Sequence, residues 1–197
     1  MSRLNREFFN RDTLDVARDL LGQCLVRVID GQRLSGWIVE VEAYIGESDQ
    51  ASHARSGRTR RNDPMYGPPG HAYVYFVYGM HHCFNVVTER ERCPAAVLIR
   101  ALEPQEGIEA MRERRGGRAD DRLLTSGPAR LCQALGIDLT LNNLDLCELG
   151  AGLFLEAGDA IPDEDVVAGA RVGVRGDDAA VQAAWRLVVH SSPYVSR

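Results

Sequence analysis

The segment Trp37-Ile38-Val39-Glu40-Val41-Glu42-Ala43-Tyr44 sets two carboxylates and a phenol at alternate positions. In a β-strand this period of two brings Glu40, Glu42 and Tyr44 to one face, with the acids about 7 Å apart along the chain. An unperturbed glutamic acid titrates near ~4.3, so both are expected to be ionised at neutral pH. Either could then take a proton from water or stabilise a developing cation. A solvent-facing strand edge with ordinary charges is the commoner home for such acids; the aromatic flank supplied by Tyr44 favours chemistry. A second segment, Tyr73-Val74-Tyr75-Phe76-Val77-Tyr78-Gly79-Met80, holds three tyrosines in six residues. Tyr73 and Tyr75 share one face, and alternation points Tyr78 the other way, beside a turn glycine. A buried core strand favours Val, Ile or Phe, because a buried tyrosine hydroxyl needs a partner. The stretch therefore reads either as an ordinary amphipathic hairpin or as flat surfaces held out for stacking. A third segment, His53 to Asn62, carries Arg55, Arg58, Arg60 and Arg61 with no acid. Such a loop can contact phosphates even though the net charge of the chain is −5. By charge alone, a solvated surface loop is the simpler reading.

Several classes of chemistry are excluded. All 23 residues in the Lys+Arg count are arginine. A lysine Schiff base and a phosphate-loop lysine are therefore unavailable, which leaves the N-terminal amine as the sole amine nucleophile. His71, His81 and His82 cluster near the tyrosine segment beside Cys83. Adjacent strand residues point in opposite directions, so His82 and Cys83 cannot both face one ion, and no metal is expected. No nucleotide-binding glycine fingerprint and no nucleophile-elbow motif occurs, so no cofactor is expected either. The five cysteines, Cys24, Cys83, Cys93, Cys132 and Cys147, form no CxxC pair and suit free thiols in a reducing compartment. No apolar run reaches membrane-spanning length, and the first residues lack a signal-peptide core. A cytoplasmic protein is expected.

The elements that must position these residues follow from periodicity. Asp12 to Gly22 reads as a capped amphipathic helix. Cys24 to Ile29 and Leu34 to Tyr44 read as strands joined around Asp30-Gly31, a strong hairpin dipeptide. Residues 46–70 form a long loop with little periodicity. The tyrosine strand and a return strand from His82 to Thr88 make a hairpin, and Ala95 to Leu102 is a further strand. Gln105 to Arg114 reads as a helix after Pro104, and Arg115 to Asp121 as a mobile connection. A second helix runs from Ser126-Gly127-Pro128 to about Leu135. Short strands follow near Leu153–Glu156, Arg171–Val174 and Trp185–His190. With no repeat and no dividing linker, residues 1–197 are expected to form a single α+β domain. Its sheet should be curved and largely antiparallel, with helices around it and a protruding β-hairpin.

Acids beside a tyrosine, a basic loop and a tyrosine hairpin with an aromatic tip are the parts needed to act on a base removed from a duplex. Arginines hold phosphates, a wedge fills the gap in the stack, aromatic walls sandwich the base, and a carboxylate works through water. At these residues the chain resembles the alkyladenine (3-methyladenine) DNA glycosylase family. The resemblance rests on Ile38 to Tyr44, Tyr73 to Tyr75, Tyr78 to Met80, Asn85, Leu98 to Pro104 and Ser126 to Leu135, with a weaker match at Ser192 to Ser196. It runs in order through nearly the whole chain. It implies that Glu42 is the general base that activates water against the deoxyribose C1′, and that Arg100 helps hold that carboxylate and water. It implies that Tyr44, His53 and Tyr75 line the base pocket and that Asn85 opposes the 2-amino group of normal guanine. Tyr78 would be the minor-groove wedge, with Met80 its apolar neighbour. Arg58 and Arg61 would be the arginines of the basic loop near DNA. The expected partner is double-stranded DNA with a damaged purine, approached from the minor groove by a monomer.

The absence of lysine fits a monofunctional enzyme that leaves an abasic site. Cationic alkylated purines suit electron-rich tyrosine faces. Neutral lesions such as hypoxanthine also need an acid, for which His53 is a candidate by location. The chain departs from the family at His81, where an aromatic is common, and in the polar stretch 116–124. Residues 175–180 also lack an expected tyrosine pattern. Two other readings compete: a damaged-DNA or RNA binding module without catalysis, and a small-molecule hydrolase built on Glu40 and Glu42. The latter leaves the basic loop and aromatic tip without a role.

Overall fold

The computed structural model describes residues 2–117 and 120–196. Arg118 and Ala119 of the expected 115–121 connection, and the N-terminal amine, lie outside the described residues. The chain opens with helices α1 (Arg6–Phe9) and α2 (Thr13–Leu20), followed by strands β1 (Cys24–Ile29) and β2 (Gln32–Ile45). Two 3-10 turns, His53–Ser56 and Asp63–Tyr66, precede strands β3 (Ala72–Val77), β4 (His81–Val87) and β5 (Ala95–Glu106). Then come α3 (Ile108–Arg114), α4 (Pro128–Leu135), β6 (Leu153–Glu156), β7 (Val166–Gly169), α5 (Asp178–Gln182) and β8 (Arg186–Val189). The α+β class expected from the sequence is the class observed. Asp12 caps α2 by accepting the Leu14 N–H at 2.9 Å. Asp30 and Gly31 both take positive φ in the β1–β2 turn, as a type I′ hairpin requires.

The strands join in one sheet of order β3-β4-β5-β2-β1-β6, with β8 pairing to β2 and β7, and every pairing is antiparallel. The 14-residue β2 is the spine. One edge pairs along its length with β5; the other pairs first with β1 and then, at Glu40–Glu42, with β8. Alternation divides the sheet's two faces. Val39, Val41 and Ala43 join Val97, Ile99 and Ala101 of β5, Phe84 and Val86 of β4, and Val74 of β3 in the main core. Val16, Ala17 and Leu20 of α2 and Leu131 and Leu135 of α4 complete it. Each such large side chain contributes about 1.5–3 kcal/mol on burial. The intervening residues Glu40, Glu42, Tyr44, Tyr73, Tyr75, Asn85, Leu98 and Arg100 are thereby committed to the opposite face.

Three sequence expectations need correction. β5 continues to Glu106, and α3 starts only at Ile108. Pairing with β2 through Gly36–Pro104 and Ser35–Glu106 outweighs the helical pattern of residues 105–107. Gly107 then turns the chain at φ 72°, where a Cβ would meet the Arg33 carbonyl oxygen at 2.8 Å. No strand occupies Arg171–Val174; the strand that pairs with β8 is Val166–Gly169, and the 171–174 segment is a loop. Its arginine is drawn inward to a buried carboxylate, as described below. Nor is the 46–70 loop structureless. Asn62 ties it together by donating to the carbonyls of His53 (2.8 Å) and Gly57 (2.9 Å) while accepting from the Thr59 N–H (2.6 Å).

The β3–β4 hairpin leaves the sheet as expected. β4 pairs with β5 only through Asn85–Val87, so toward the tip β3 and β4 pair with each other alone. Tyr78 and Gly79 both have positive φ, 53° and 69°. No helix among the described residues is long and apolar enough to cross a membrane.

Candidate active site

The committed face of β2, β3, β4 and β5 forms one wall of a cleft of about 880 Å³. Tyr44, His53, Tyr75, Asn85 and Arg100 line it, with Tyr78 at the rim. Glu40 and Glu42 lie beneath, both fully buried. Their surroundings separate them. Glu40 accepts four hydrogen bonds. Arg100 Nε (2.8 Å), Arg186 Nε (2.7 Å) and the Ser196 hydroxyl (2.8 Å) donate to Oε1, and the Ser196 N–H (2.6 Å) donates to Oε2. Three donors crowd Oε1 and one meets Oε2, and two of the four are guanidinium groups, so Glu40 is a heavily compensated anion. Burial alone would raise its pKa, but the Ser196 N–H and the two guanidiniums outweigh burial and hold it below the usual carboxylate value. Glu42 accepts two hydrogen bonds, from the Val172 N–H to Oε1 (2.6 Å) and from the Tyr44 hydroxyl to Oε2 (2.8 Å). Arg100 NH1 stands 3.2 Å from Oε1. Counting Arg100, at least one lone pair of Glu42 remains for a water. Of the two acids, Glu42 is the one bonded to a residue of the cleft wall, Tyr44, and it takes no direct guanidinium hydrogen bond, which suits it to act as a general base.

The pairing register explains how Arg100 reaches both. Between Ile38 and Val41 the β2–β5 ladder is irregular: Val39 and Arg100 have no direct partner across it. This doubled bulge sets the arginine between the two acids instead of beside one. Burial lowers the affinity of the guanidinium for its proton, but Glu42 and Glu40 more than compensate and raise it above its ordinary value. Tyr44 is raised by burial and by the Glu42 carboxylate, which fixes it as a neutral donor.

The aromatic wall is equally organised. The His53 ring meets Tyr75 edge-on at 4.6 Å between centroids, and Tyr73 lies 5.3 Å from Tyr75. His53 Nδ1 and the Tyr73 hydroxyl share a hydrogen bond of 2.8 Å, which satisfies the phenol of a fully buried tyrosine. Burial, with Arg61 and Arg55 nearby, pushes His53 down to about 4, so the ring is neutral at neutral pH. Asn85 donates through Nδ2 to the Tyr73 carbonyl (2.9 Å). At the hairpin tip Tyr78 is 90 % exposed and Met80 69 %. Strand alternation ends at Val77, so the turn, not the strand, sets the direction of Tyr78. Arg61 stacks over Tyr75 at 5.4 Å. Arg58 stands apart from the cleft, half exposed, paired with Asp63 (2.6 Å) and stacked over Tyr66 at 5.5 Å.

Comparison with known proteins decides among the readings that this geometry leaves open. The methylpurine-DNA glycosylase (MPG) family profile matches residues 7–193. The chain belongs to the methylpurine-DNA glycosylase family. A protein of Desulfitobacterium hafniense named "Putative 3-methyladenine DNA glycosylase" is 48 % identical, and the alignment covers 100 % of this chain and 99 % of that protein. Proteins of the same name from Carboxydothermus hydrogenoformans and Methanocella arvoryzae are each 49 % identical. Their alignments cover 98 % of both chains for the first, and 100 % of this chain and 97 % of the relative for the second. The protein is thus a DNA glycosylase of the 3-methyladenine type, a hydrolase of base excision repair that binds DNA.

Four residues of the glycosylase site escaped the sequence reading. Val172 supplies its N–H to Glu42, and Arg186 and Ser196 hold Glu40. Arg171 is fully buried against Asp49 through two hydrogen bonds (2.6 and 2.8 Å), its guanidinium 4.8 Å from the ring centroids of both Tyr44 and Trp185. Arg55 and Arg175 also line the cleft. One local signal was available for Arg171: an arginine one residue before a valine–glycine pair, flanked by small residues, can face inward only if an acid meets it.

Proposed function

We propose that the enzyme flips alkylated or deaminated purines, of the 3-methyladenine, 7-methylguanine and hypoxanthine class, out of duplex DNA. It hydrolyses the N-glycosidic bond with a water activated by Glu42. The observation that carries this reading is that Glu42 is bonded to Tyr44 and paired with Arg100, both of which line the cleft, while Glu40 is held directly by two guanidiniums and Ser196. Tyr44, His53 and Tyr75 sandwich the extruded base. Glu42 takes a proton from water as the oxygen bonds to C1′. The C1′–N bond breaks with its electron pair passing to the purine. A cationic alkylated purine then leaves neutral, so no acid is needed. Hypoxanthine, which is neutral, leaves as its anion and takes its proton from water, because His53 has none to give near neutrality.

Asn85 stands where a 2-amino group on a normal guanine would meet it. Tyr78 enters from the minor groove and fills the vacated stack, with Met80 beside it. Arg61 and Arg58 face the phosphates, and Arg58 exchanges Asp63 for one of them. The enzyme acts as a monomer in the cytoplasm and releases an abasic site.

The test uses a duplex carrying one lesion under single-turnover conditions. Glu42→Gln is expected to lower base release by about 10²–10⁴-fold while binding to an abasic-analogue duplex persists. Wild-type release by the variant would remove Glu42 from the mechanism. Wild-type binding without alkali-labile sites would make the protein a binding module.

A further inference from the structure

Glu40 is a fully buried acid that the reaction does not consume, and its environment is too complete to be incidental. It draws partners from three places distant in the sequence: Arg100 on β5, Arg186 on β8 and Ser196 in the C-terminal segment. Ser196 also accepts from Arg100 NH2 at 3.1 Å and offers its carbonyl to Arg186 NH2 at 3.4 Å. The result is a closed ring of two guanidiniums, one carboxylate and one serine. Arg100 is the member whose side chain also contacts Glu42; Arg186 faces Glu42 across the β2–β8 pairing.

We propose that Glu40, with Arg186 and Ser196, is a positioning device that fixes how much of Arg100 is shared with Glu42. Arg100 has one guanidinium and two acids to serve. With Glu40 holding its Nε, only NH1 reaches Glu42, at an ion-pair distance longer than the Glu40 contact (3.2 against 2.8 Å). Glu42 is thus oriented without being neutralised by a full bidentate pair, which would stabilise its anion and weaken it as a base. Arg186 supplies the second positive charge that lets Glu40 remain ionised while it restrains Arg100. The other charged or titratable groups around the pair are Tyr44 on β2, Cys83 on β4, and the Arg171–Asp49 pair, whose two charges cancel locally. The ring is therefore the adjustable part of the field at Glu42.

This inference rests on Glu42 being the base, and the experiment separates the two. Single-turnover base release from a lesion duplex is followed against pH for wild type, Glu42→Gln, Glu40→Gln and Arg186→Gln. Removing the Glu40 charge frees Arg100 to pair fully with Glu42. The rate is expected to fall about 10- to 100-fold and the acidic limb of the profile to move to lower pH by about half to one unit. Removing Arg186, whose side chain is only 22 % exposed but lies at the outer side of the ring, leaves the acids less compensated. The acidic limb then moves to higher pH. Shifts of opposite sign cannot arise from general loosening of the fold, and Arg186→Gln answers even if Glu40→Gln fails to fold. Rate losses with both limbs unmoved, or limbs moving in the same direction, would overturn the proposal. An active Glu42→Gln would instead overturn the assignment of the base.

Discussion

The floor of the cleft and the tip of its hairpin obey opposite rules. At the floor, Glu40, Glu42 and Arg100 sit on strands paired on both edges, and Glu40 accepts four hydrogen bonds. At the tip, Tyr78 and Met80 project into solvent from a turn whose aromatic residue holds a left-handed conformation. That conformation costs a non-glycine residue about 1–2 kcal/mol. Chemistry on a sugar needs groups already in place before the substrate arrives, because reorganisation at the moment of reaction adds to the barrier. Entry into a base stack needs the reverse: an unpartnered aromatic that becomes buried only against DNA. One hairpin serves both, since Tyr75 belongs to the wall and Tyr78, three residues on, to the tip.

The contrast can be broken first at the floor. Arg171→Met leaves Asp49 buried and unpaired beneath Tyr44. It is expected to cost about 3–5 kcal/mol of folding stability, measured by urea denaturation; a loss below 1 kcal/mol would mean that the pair does not organise the site. At the tip, Tyr78→Ala is expected to weaken binding to a lesion duplex by about 1–3 kcal/mol, with stability unchanged within about 0.5 kcal/mol. Equal losses of stability and binding would show that the tip is a structural element after all.

The smallest effect concerns the wall between them. His53 is depressed from 6.5 to about 4, so the unfolded chain takes up the proton first as pH falls. Its contribution to stability is fully present above about 6.5 and declines as the pH drops toward about 4. His53→Asn should flatten the fall of melting temperature across that window. An unchanged slope would place His53 in a more solvated setting than its shared hydrogen bond with Tyr73 implies.

The sequence reveals the tip and half the floor. Alternation along β2 and β3 is local, so Glu40, Glu42 and Tyr44 share one face of β2, and Tyr73 and Tyr75 one face of β3, without any knowledge of tertiary pairing; that the two faces are the same face of the sheet is a tertiary fact. The Asp30-Gly31 and Tyr78-Gly79 turns are likewise written in adjacent residues. The choice between Glu40 and Glu42 was not available from the residues alone. It depends on Ser196, 156 positions from Glu40, and on Val172, 130 positions from Glu42. The sequence reads Arg171–Val174 as a short strand. The pull of Arg171 toward Asp49, 122 positions earlier, converts that strand into a loop. The start of α3 differs for a related reason: Gln105 and Glu106, two residues with helical preference, belong to the strand that pairs with β2. Arg58 was located correctly in a basic loop, but its partner Asp63 lies in the next 3-10 turn, and the loop's path turns it away from the cleft.

The fork in β2 carries a last consequence. A transient opening that frees the hairpin tip has the β3–β4 pairing and the Arg61 contact with the Phe76 carbonyl to undo. An opening that frees Glu42 must peel β2 from β5 on one side and β8 on the other while also releasing the Ser196 anchor beside it. Such an event is close to global unfolding. Under the proposed function, the tip fluctuates and is rebuilt against each stretch of duplex while Glu42 and its partners stay assembled for as long as the protein stays folded.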